Sequence, residues 1–594
     1  MEQLDFAGGL AAALAAGGLQ LIFEWIPQMF LVYTQTENRF LAWWIAAIAS
    51  IRNTLGRSQI ATAFLTGLLL GRPLEGLAVG AVIELMFLGV FVVGASIPPQ
   101  PYLATIMTTV FVIRAGLGAE EALGLVLPIA IFSQLLFLAA LSWNHIPLGI
   151  AKKRAEEANY RGVDIQNTLW QPLSFTYLTN LVPAFIGGFI GVPAVQAAVN
   201  WLQTNAGWLL EGFGLLAGVL PALGFALLLY QMGTRYIGYL FLGIVAAIYL
   251  ELDPLAVAVA GVALALVHMI ITRERGGEED APLAMEEEEE LPEREASLSQ
   301  TDFMAMYWRH WNLFRVASWE VLGGLGFAQA MVPVIRRFYD TKEEISAALE
   351  RHMVFYNTNP WLGAIIPGVV ASMEEERADG LPVEEGAIQG VKVAMMGPFA
   401  GVGDSLFWAT YIPIILAIAA SWAQSDSLAL QWLAPIGVLV VLGLSNLLIP
   451  YYFMRFGYRR GLSALSDLQE RNLLSDLSTA ATVVGQFVVG ALVVQLVSLQ
   501  IRWAPSLFGA EPIQIQEILN SIMPSIIPLA IFFLCYWLLR RGRSAIFIMV
   551  VLLVITLLGA IPLPLDLFNN TSILGAPIVE EESSMLLIRS VLGI

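Results

Sequence analysis

The stretch "MMGPFAGVGDSLFW", Met395–Trp408, decides how the rest of the chain is read. It is apolar and rich in glycine, it runs on into "SLFWATYIPIILAI", and it carries a single carboxylate, Asp404, with no base beside it. An ionisable group at membrane depth is costly and marks a functional site by default. Two compatible readings follow. Asp404 caps the helix that begins at Ser405, as aspartate often does. Alternatively it presents a carboxylate to a ligand or gate, with the neighbouring glycines permitting close backbone approach and Phe407 and Trp408 offering apolar faces.

The surrounding chain supports membrane depth. Of 594 residues, 57% are hydrophobic and 13% charged, against about 25% charged in a soluble domain. Mean hydropathy is +0.72, and the 52 glycines suit close helix packing in lipid. Apolar windows such as Leu103–Ala140, Leu209–Met232 and Ala429–Pro450 recur. At about 20 residues per crossing, roughly ten to twelve embedded segments are expected. Gly and Pro interruptions predict that some are broken or re-entrant. Continuous apolar runs disfavour a β-barrel, which needs alternation. The expected fold is an all-α polytopic membrane protein, two helical halves joined by an acidic cytoplasmic linker.

The net charge of −18 is concentrated. Gly276–Gln300, "GGEEDAPLAMEEEEELPEREASLSQ", holds ten acidic residues and one arginine, a net of −9. Such runs are solvated tethers or acidic docking strips. The run divides the chain into a first half, 36–275, and a second, 301–594, preceded by an extra apolar segment, 1–35, that lacks a basic signal-peptide start. Basic clusters at 151–162, 272–277, 455–461 and 538–543 mark cytoplasmic edges. Within the second half, 301–362 reads as an amphipathic platform and 363–594 as the membrane core. "TKEEISAALERHM" opens a helix there, with Thr341 and Glu344 at capping-box spacing. "GRPLEGLAVGAVIELM" from Gly71 faintly echoes "GLPVEEGAIQGVKVAMM" from Gly380. No basic patch with interleaved aromatics points to nucleic acid, and the lone Cys535 reads as a buried apolar residue.

Longer motifs carry a family resemblance. "SWEVLGGLGFAQAMVPVIRRFY", "HMVFYNTNPWLGAIIPGVVASMEEERADG", "AIQGVKVAMMGPFAGVGDSLFWAT" and "ILNSIMPSIIPLAIFFLCYWLLRRG" resemble the IID component of the mannose-family sugar phosphotransferase system (PTS). "FLTGLLLGRPLEGLAVGAVIELMFLGVFVVGASIPPQPYLAT", "KKRAEEANYRGVD" and "AGVLPALGFALLLYQMG" resemble the IIC component. The resemblance implies a bacterial inner-membrane passage for a hexose of the mannose/glucose class. It also implies cytosolic IIA and IIB proteins that relay phosphate, a homotrimer, and elevator-like movement of a substrate-carrying core. No IIA or IIB domain is read in this chain, and His145, His268, His310 and His352 match no phospho-carrying site. No catalytic, metal or cofactor site is expected. Uncoupled or ion-linked sugar transport, or a receptor or scaffold role, are the rival functions.

Candidate substrate contacts are polar residues stranded in apolar sequence. Asp404 and Trp408 lead in the second half. Asn357 and Asn359 precede Pro360 and Trp361 and suit paired sugar hydroxyls, although Asn-Pro is also a turn signal. Glu374 and Glu375 stand in "SMEEER", where one glutamate is expected to face inward, the others being solvated or paired with Arg377. Lys392 needs a carboxylate, with Asp404 or one of those glutamates as the expected partner. In the first half, Glu84 in "AVIELMFLG" is the exceptional charge, for substrate or for a buried pair. Gln59, Gln100 and Gln134 are secondary, with Gln100 in the proline-broken "SIPPQPYLAT" suited to a re-entrant tip.

Overall fold

The computed structural model describes residues 5–34, 38–89, 99–116, 124–276, 297–461, 473–502, 513–561 and 574–575. The acidic run at 277–296 lies outside the described residues, as do residues 90–98 before Gln100. The described chain is helical almost throughout, apart from a two-residue antiparallel pair, Gln500–Ile501 with Leu574–Gly575. Among the described residues seven helices are long and apolar enough to cross a membrane, or eight if one bent pair forms a single span. Five shorter apolar helices accompany them.

The broken helices have local causes. Ile515–Ile522 and Ile526–Arg540 meet at 77°, across "MPS", where Ser525 takes a left-handed φ of 61°. Pro524 cannot continue a helical hydrogen-bond ladder and pushes Met523 into an extended conformation, as observed. The N-terminal segment Phe6–Thr34 likewise passes through two π-helical stretches, Leu14–Gly18 and Leu21–Trp25.

The two halves interleave. The first-half helix Arg39–Arg57 packs on the second-half helices Gln300–His310 and Leu428–Arg460. His145–Glu156 and Tyr160–Gln171 pack on Lys342–His352 and Gly324–Phe338. A second bundle is equally mixed: Gly207–Met232, Ile237–Tyr249 and Pro254–Gly276 from the first half enclose Leu473–Leu496, Ile526–Arg540 and Ala545–Ala560 from the second. The two bundles meet where Pro73–Phe87 touches Gly207–Met232 and where the turn at Asp404–Tyr411 touches Leu473–Leu496.

Buried polar pairs fasten the halves together. Arg309 donates from Nε and Nη2 to Asp164 Oδ2, at 3.1 and 2.8 Å. Gln329 donates to Asp164 Oδ1 at 2.6 Å and accepts from Asn167 at 2.5 Å. These groups are almost wholly excluded from solvent, so each needs its partner. Asp164 ends the "KKRAEEANYRGVD" motif, which therefore serves here as a joint between halves. The N-terminal segment joins in, because buried Gln28 exchanges hydrogen bonds with Asn312 of the second half at 3.2 and 3.4 Å.

The first two helices of the 301–362 region are enclosed, while the third, Lys342–His352, keeps an exposed face. Every residue from Phe303 to His310 is buried, as is nearly all of Gly324–Phe338. The capping box of Lys342–His352 forms as the spacing predicts. Glycine sets the tight hairpin Gln59–Leu69/Pro73–Phe87: a Cβ on Gly76 would stand 2.3 Å from the Ala63 carbonyl. The echo positions Gly386 and Gly390 face open space instead.

Candidate functional site

The site begins at the loop between His352 and the short 3₁₀ turn Leu362–Ala364. Asn359 is buried and uses both ends of its amide. Its Oδ1 accepts from the backbone N–H groups of Trp361 and Leu362, at 3.0 and 3.2 Å, which fixes the loop's exit into the turn. Its Nδ2 donates to Asp404 Oδ1 at 3.0 Å. Gly403 makes this approach possible, since a Cβ there would lie 2.5 Å from Asn359 Cβ. Beside it, Asn357 donates its N–H to Met396 Sδ at 3.4 Å, and Thr358 donates to the Met396 carbonyl at 3.1 Å.

Asp404 is not an N-cap. It lies inside a continuous 39-residue apolar run, Glu385–Ala423, with helical φ and ψ of −69° and −41°. The helix does not break there but widens into a π-helical segment, Asp404–Tyr411. Such widenings free backbone groups from the regular ladder and often occur at functional sites. The π-turn carries Trp408 and Phe407 against Trp361, with ring centroids 5.5 and 4.8 Å apart. Trp361 is held in place through Nε1 by Asn446 at 2.8 Å, and Asn446 donates to Thr54 of the first half at 3.0 Å.

Arg57 and Ser58 link this second-half site to the first half. The Arg57 guanidinium lies over the Trp408 ring, 3.9 Å from its centroid, and 5.7 Å from that of Trp361. Ser58 donates to Glu84 Oε2 at 2.8 Å, and the Ile60 N–H donates to the same oxygen at 3.0 Å. Glu84 thus caps the start of Gln59–Leu69 from a neighbouring helix. Gln59 Oε1 accepts from Thr105 at 2.8 Å. Gln100 stands one residue before the Pro101–Ala115 helix that carries Thr105, and its N–H donates to the Ala130 carbonyl at 3.1 Å.

Glu374, Glu375 and Lys392 belong to a different cluster. Two of the three consecutive glutamates face inward, not one, because Ile365–Ala378 is flanked on both sides, by Gly324–Phe338 and by Leu428–Arg460. Glu374 accepts from Arg351 Nε and Nη2 at 2.7 and 2.6 Å and from Tyr339 at 2.5 Å, with His352 Nε2 at 2.9 Å. Burial opposes its charge, but these hydrogen bonds prevail and hold Glu374 well below the usual carboxylate range. Glu375 accepts from Tyr458 at 2.6 Å and from Ser297. Arg377 donates to the Val383 carbonyl at 2.7 Å. Lys392 does not take the expected carboxylate. It donates to the His352 carbonyl at 3.2 Å and lies over the Phe327 ring at 4.2 Å. The aromatic face and carbonyl dipole replace a counter-ion.

Sequence reading did not single out Arg57 or Asn446, named Trp361 only as a neighbour of Asn359, and considered His310 only as a histidine matching no phospho-carrying site. Asn446 did carry a signal, an amide in the apolar "LSNLLIP". His310 Nε2 lies 2.9 Å from the Pro360 carbonyl, so the neutral ring donates to the loop that presents Asn359.

Apolar helices of bilayer length around buried polar joints define a multi-pass membrane protein. Residues 297–562 match the PTS mannose/fructose/sorbose family IID component, and residues 38–267 match the PTS sorbose-specific IIC component. The chain therefore belongs to the mannose/fructose/sorbose family of PTS permeases, with a IIC and a IID component fused in one chain. It is 38% identical to the mannose-specific EIID component of Escherichia coli K12, over 45% of this chain and 94% of that one. It is 32% identical to N-acetylgalactosamine permease IIC component 1 of the same strain, over 42% of this chain and 89% of that one. A solved complex of the mannose transporter ManYZ with microcin E492 aligns at 37% identity, covering 45% of this chain and 97% of that one, with a TM-score of 0.27. PTS IIC and IID components work with cytosolic IIA and IIB proteins on a sugar.

Proposed function

We propose that this chain is the translocation unit of a mannose-type PTS, moving a hexose of the mannose/glucose class inward for phosphorylation by separate IIA and IIB proteins. The observation that carries the reading is the Asn359–Asp404 pair set beside Trp361 and Trp408 at the seam between the halves. A carboxylate and an amide suit sugar hydroxyls, and an indole face suits the C–H surface of the ring. Asn357, Asn359, Asp404 and Trp408 are the proposed contacts from the second half, with Glu84, Gln59 and Gln100 contributing from the first. Lys392, on the Asp404-bearing helix itself, is proposed to tie that helix to the His352 carbonyl, with Glu374 and Glu375 bracing the neighbouring helix. Relatives are named for mannose, fructose, sorbose and N-acetylgalactosamine. The assembly is proposed to be a homotrimer of fused chains in a bacterial inner membrane.

The test is uptake of labelled mannose and glucose into proteoliposomes holding the purified chain, with and without IIA, IIB and a phosphoryl donor. Phosphorylated sugar accumulating inside only with the complete relay supports the proposal. Equal uptake without the relay makes the protein an uncoupled carrier, and neither binding nor uptake makes it a scaffold.

A further inference from the structure

Arg57 is the cation of the site, and the hexose contacts proposed above do not include it. It ends the Arg39–Arg57 helix, and its guanidinium rests on Trp408. Among the described residues its buried Nη1 has no hydrogen-bond partner and it enters no ion pair. Other arginines turned into the protein are matched: Arg52 with Glu24, Arg309 with Asp164, Arg351 with Glu374. Asp404, one turn before Trp408, is engaged by Asn359 instead. A guanidinium laid on an indole keeps its in-plane N–H groups free, in a fork that fits two oxygens of a carboxylate or phosphate. The indole face takes up part of the charge, but the enclosed Nη1 N–H groups still have room for an acceptor, and an anionic one suits them best.

We propose that Arg57 is a specificity-determining residue that receives an anionic substituent, carboxylate or phosphoryl, on a hexose whose ring lies at Asn359 and Asp404. The inference rests on the hexose reading above. Both substituents, the planar carboxylate and the tetrahedral phosphoryl group, present a pair of anionic oxygens that a guanidinium fork can take. They differ in source: a carboxylate arrives with the sugar, as in a hexuronate, whereas a phosphoryl group belongs to a sugar phosphate on the inner side.

The experiment is calorimetric binding of glucose, glucuronate and glucose 6-phosphate to the purified full chain, comparing wild type, Arg57→Gln and Arg57→Lys, with melting temperature as the check on folding. At least one anion should bind wild type about tenfold or more tighter than glucose. Arg57→Gln should weaken that anion about ten- to hundredfold, the range for a hydrogen bond to a charged group, and weaken glucose by a clearly smaller factor. Arg57→Lys keeps the charge and loses the fork, so it should weaken the same anion selectively; it carries the test if Arg57→Gln does not fold. The favoured anion identifies the source. Glucose binding as tightly as both anions, or losing as much as they do on substitution, overturns the proposal while the hexose reading stands. No binding of any of the three by wild type overturns both.

Discussion

Asn359 Nδ2 donates to Asp404 Oδ1 across 3.0 Å, joining a loop to the middle of an apolar helix 45 residues further along the chain. That bond fixes the direction of the carboxylate, and Gly403 is what lets the two side chains meet. Asp404→Asn tests the charge alone, because the amide oxygen still accepts from Asn359. Sugar affinity should fall about ten- to hundredfold, the range for a charge-assisted hydrogen bond, while the melting temperature holds. Unchanged affinity would remove the carboxylate from the contact set.

Gly403→Ala places a Cβ 2.5 Å from Asn359 Cβ and 2.6 Å from its Cγ. The loop must move, at a cost of about 1–3 kcal/mol for overpacking, and sugar binding should be lost. Gly401→Ala is the control, since nothing lies within 4 Å of a Cβ there. The pair separates steric displacement from helix propensity: if both variants bind sugar alike, the approach to Asn359 is not what Gly403 provides.

His310 predicts an acid-sensitive loop. Burial pushes its pKa down to about 4, the Pro360 carbonyl partly opposing. An unfolded histidine titrates near about 6.5. Between these values the unfolded chain binds the extra proton, so stability falls as pH drops through that window, by up to about 3 kcal/mol. Burial lowers His352 in the same direction. Melting temperature followed from pH 7 to pH 4 should therefore fall, and His310→Gln should flatten part of the slope. A variant as acid-sensitive as wild type would contradict the assignment.

Arg309 and Asp164 hold the halves together from opposite sides of the linker. Removing one partner, as in Asp164→Leu, strands a buried charge and should cost about 3–5 kcal/mol. The double variant Asp164→Leu/Arg309→Met should recover a large part of that loss. The measurement is co-purification of the two halves expressed as separate chains: the single variant should reduce it sharply and the double variant restore it. Equal recovery for all would show that apolar contacts alone suffice.

Local chemistry is what the amino-acid order displays, and it was enough for several conclusions. Apolar windows, interrupting prolines and long IIC and IID motifs were sufficient for an all-helical, multi-pass permease of this family. The Thr341–Glu344 cap was legible because its partners are three residues apart. Asn359, Asp404 and Glu84 stood out because polar groups are rare in such sequence. What each of them touches was not legible. Glu84 caps a helix through Ser58 and Ile60, and Lys392 rests on Phe327 rather than on an acid. Arg57 meets Trp408, and Asp164 meets Arg309, across the junction between halves. No periodicity or spacing connects positions so far apart. Those pairings are set by the interleaving of two bundles, where close packing and the cost of an unmatched buried charge select one arrangement. The residue types were written in the chain; their partners were decided only when the halves folded into each other.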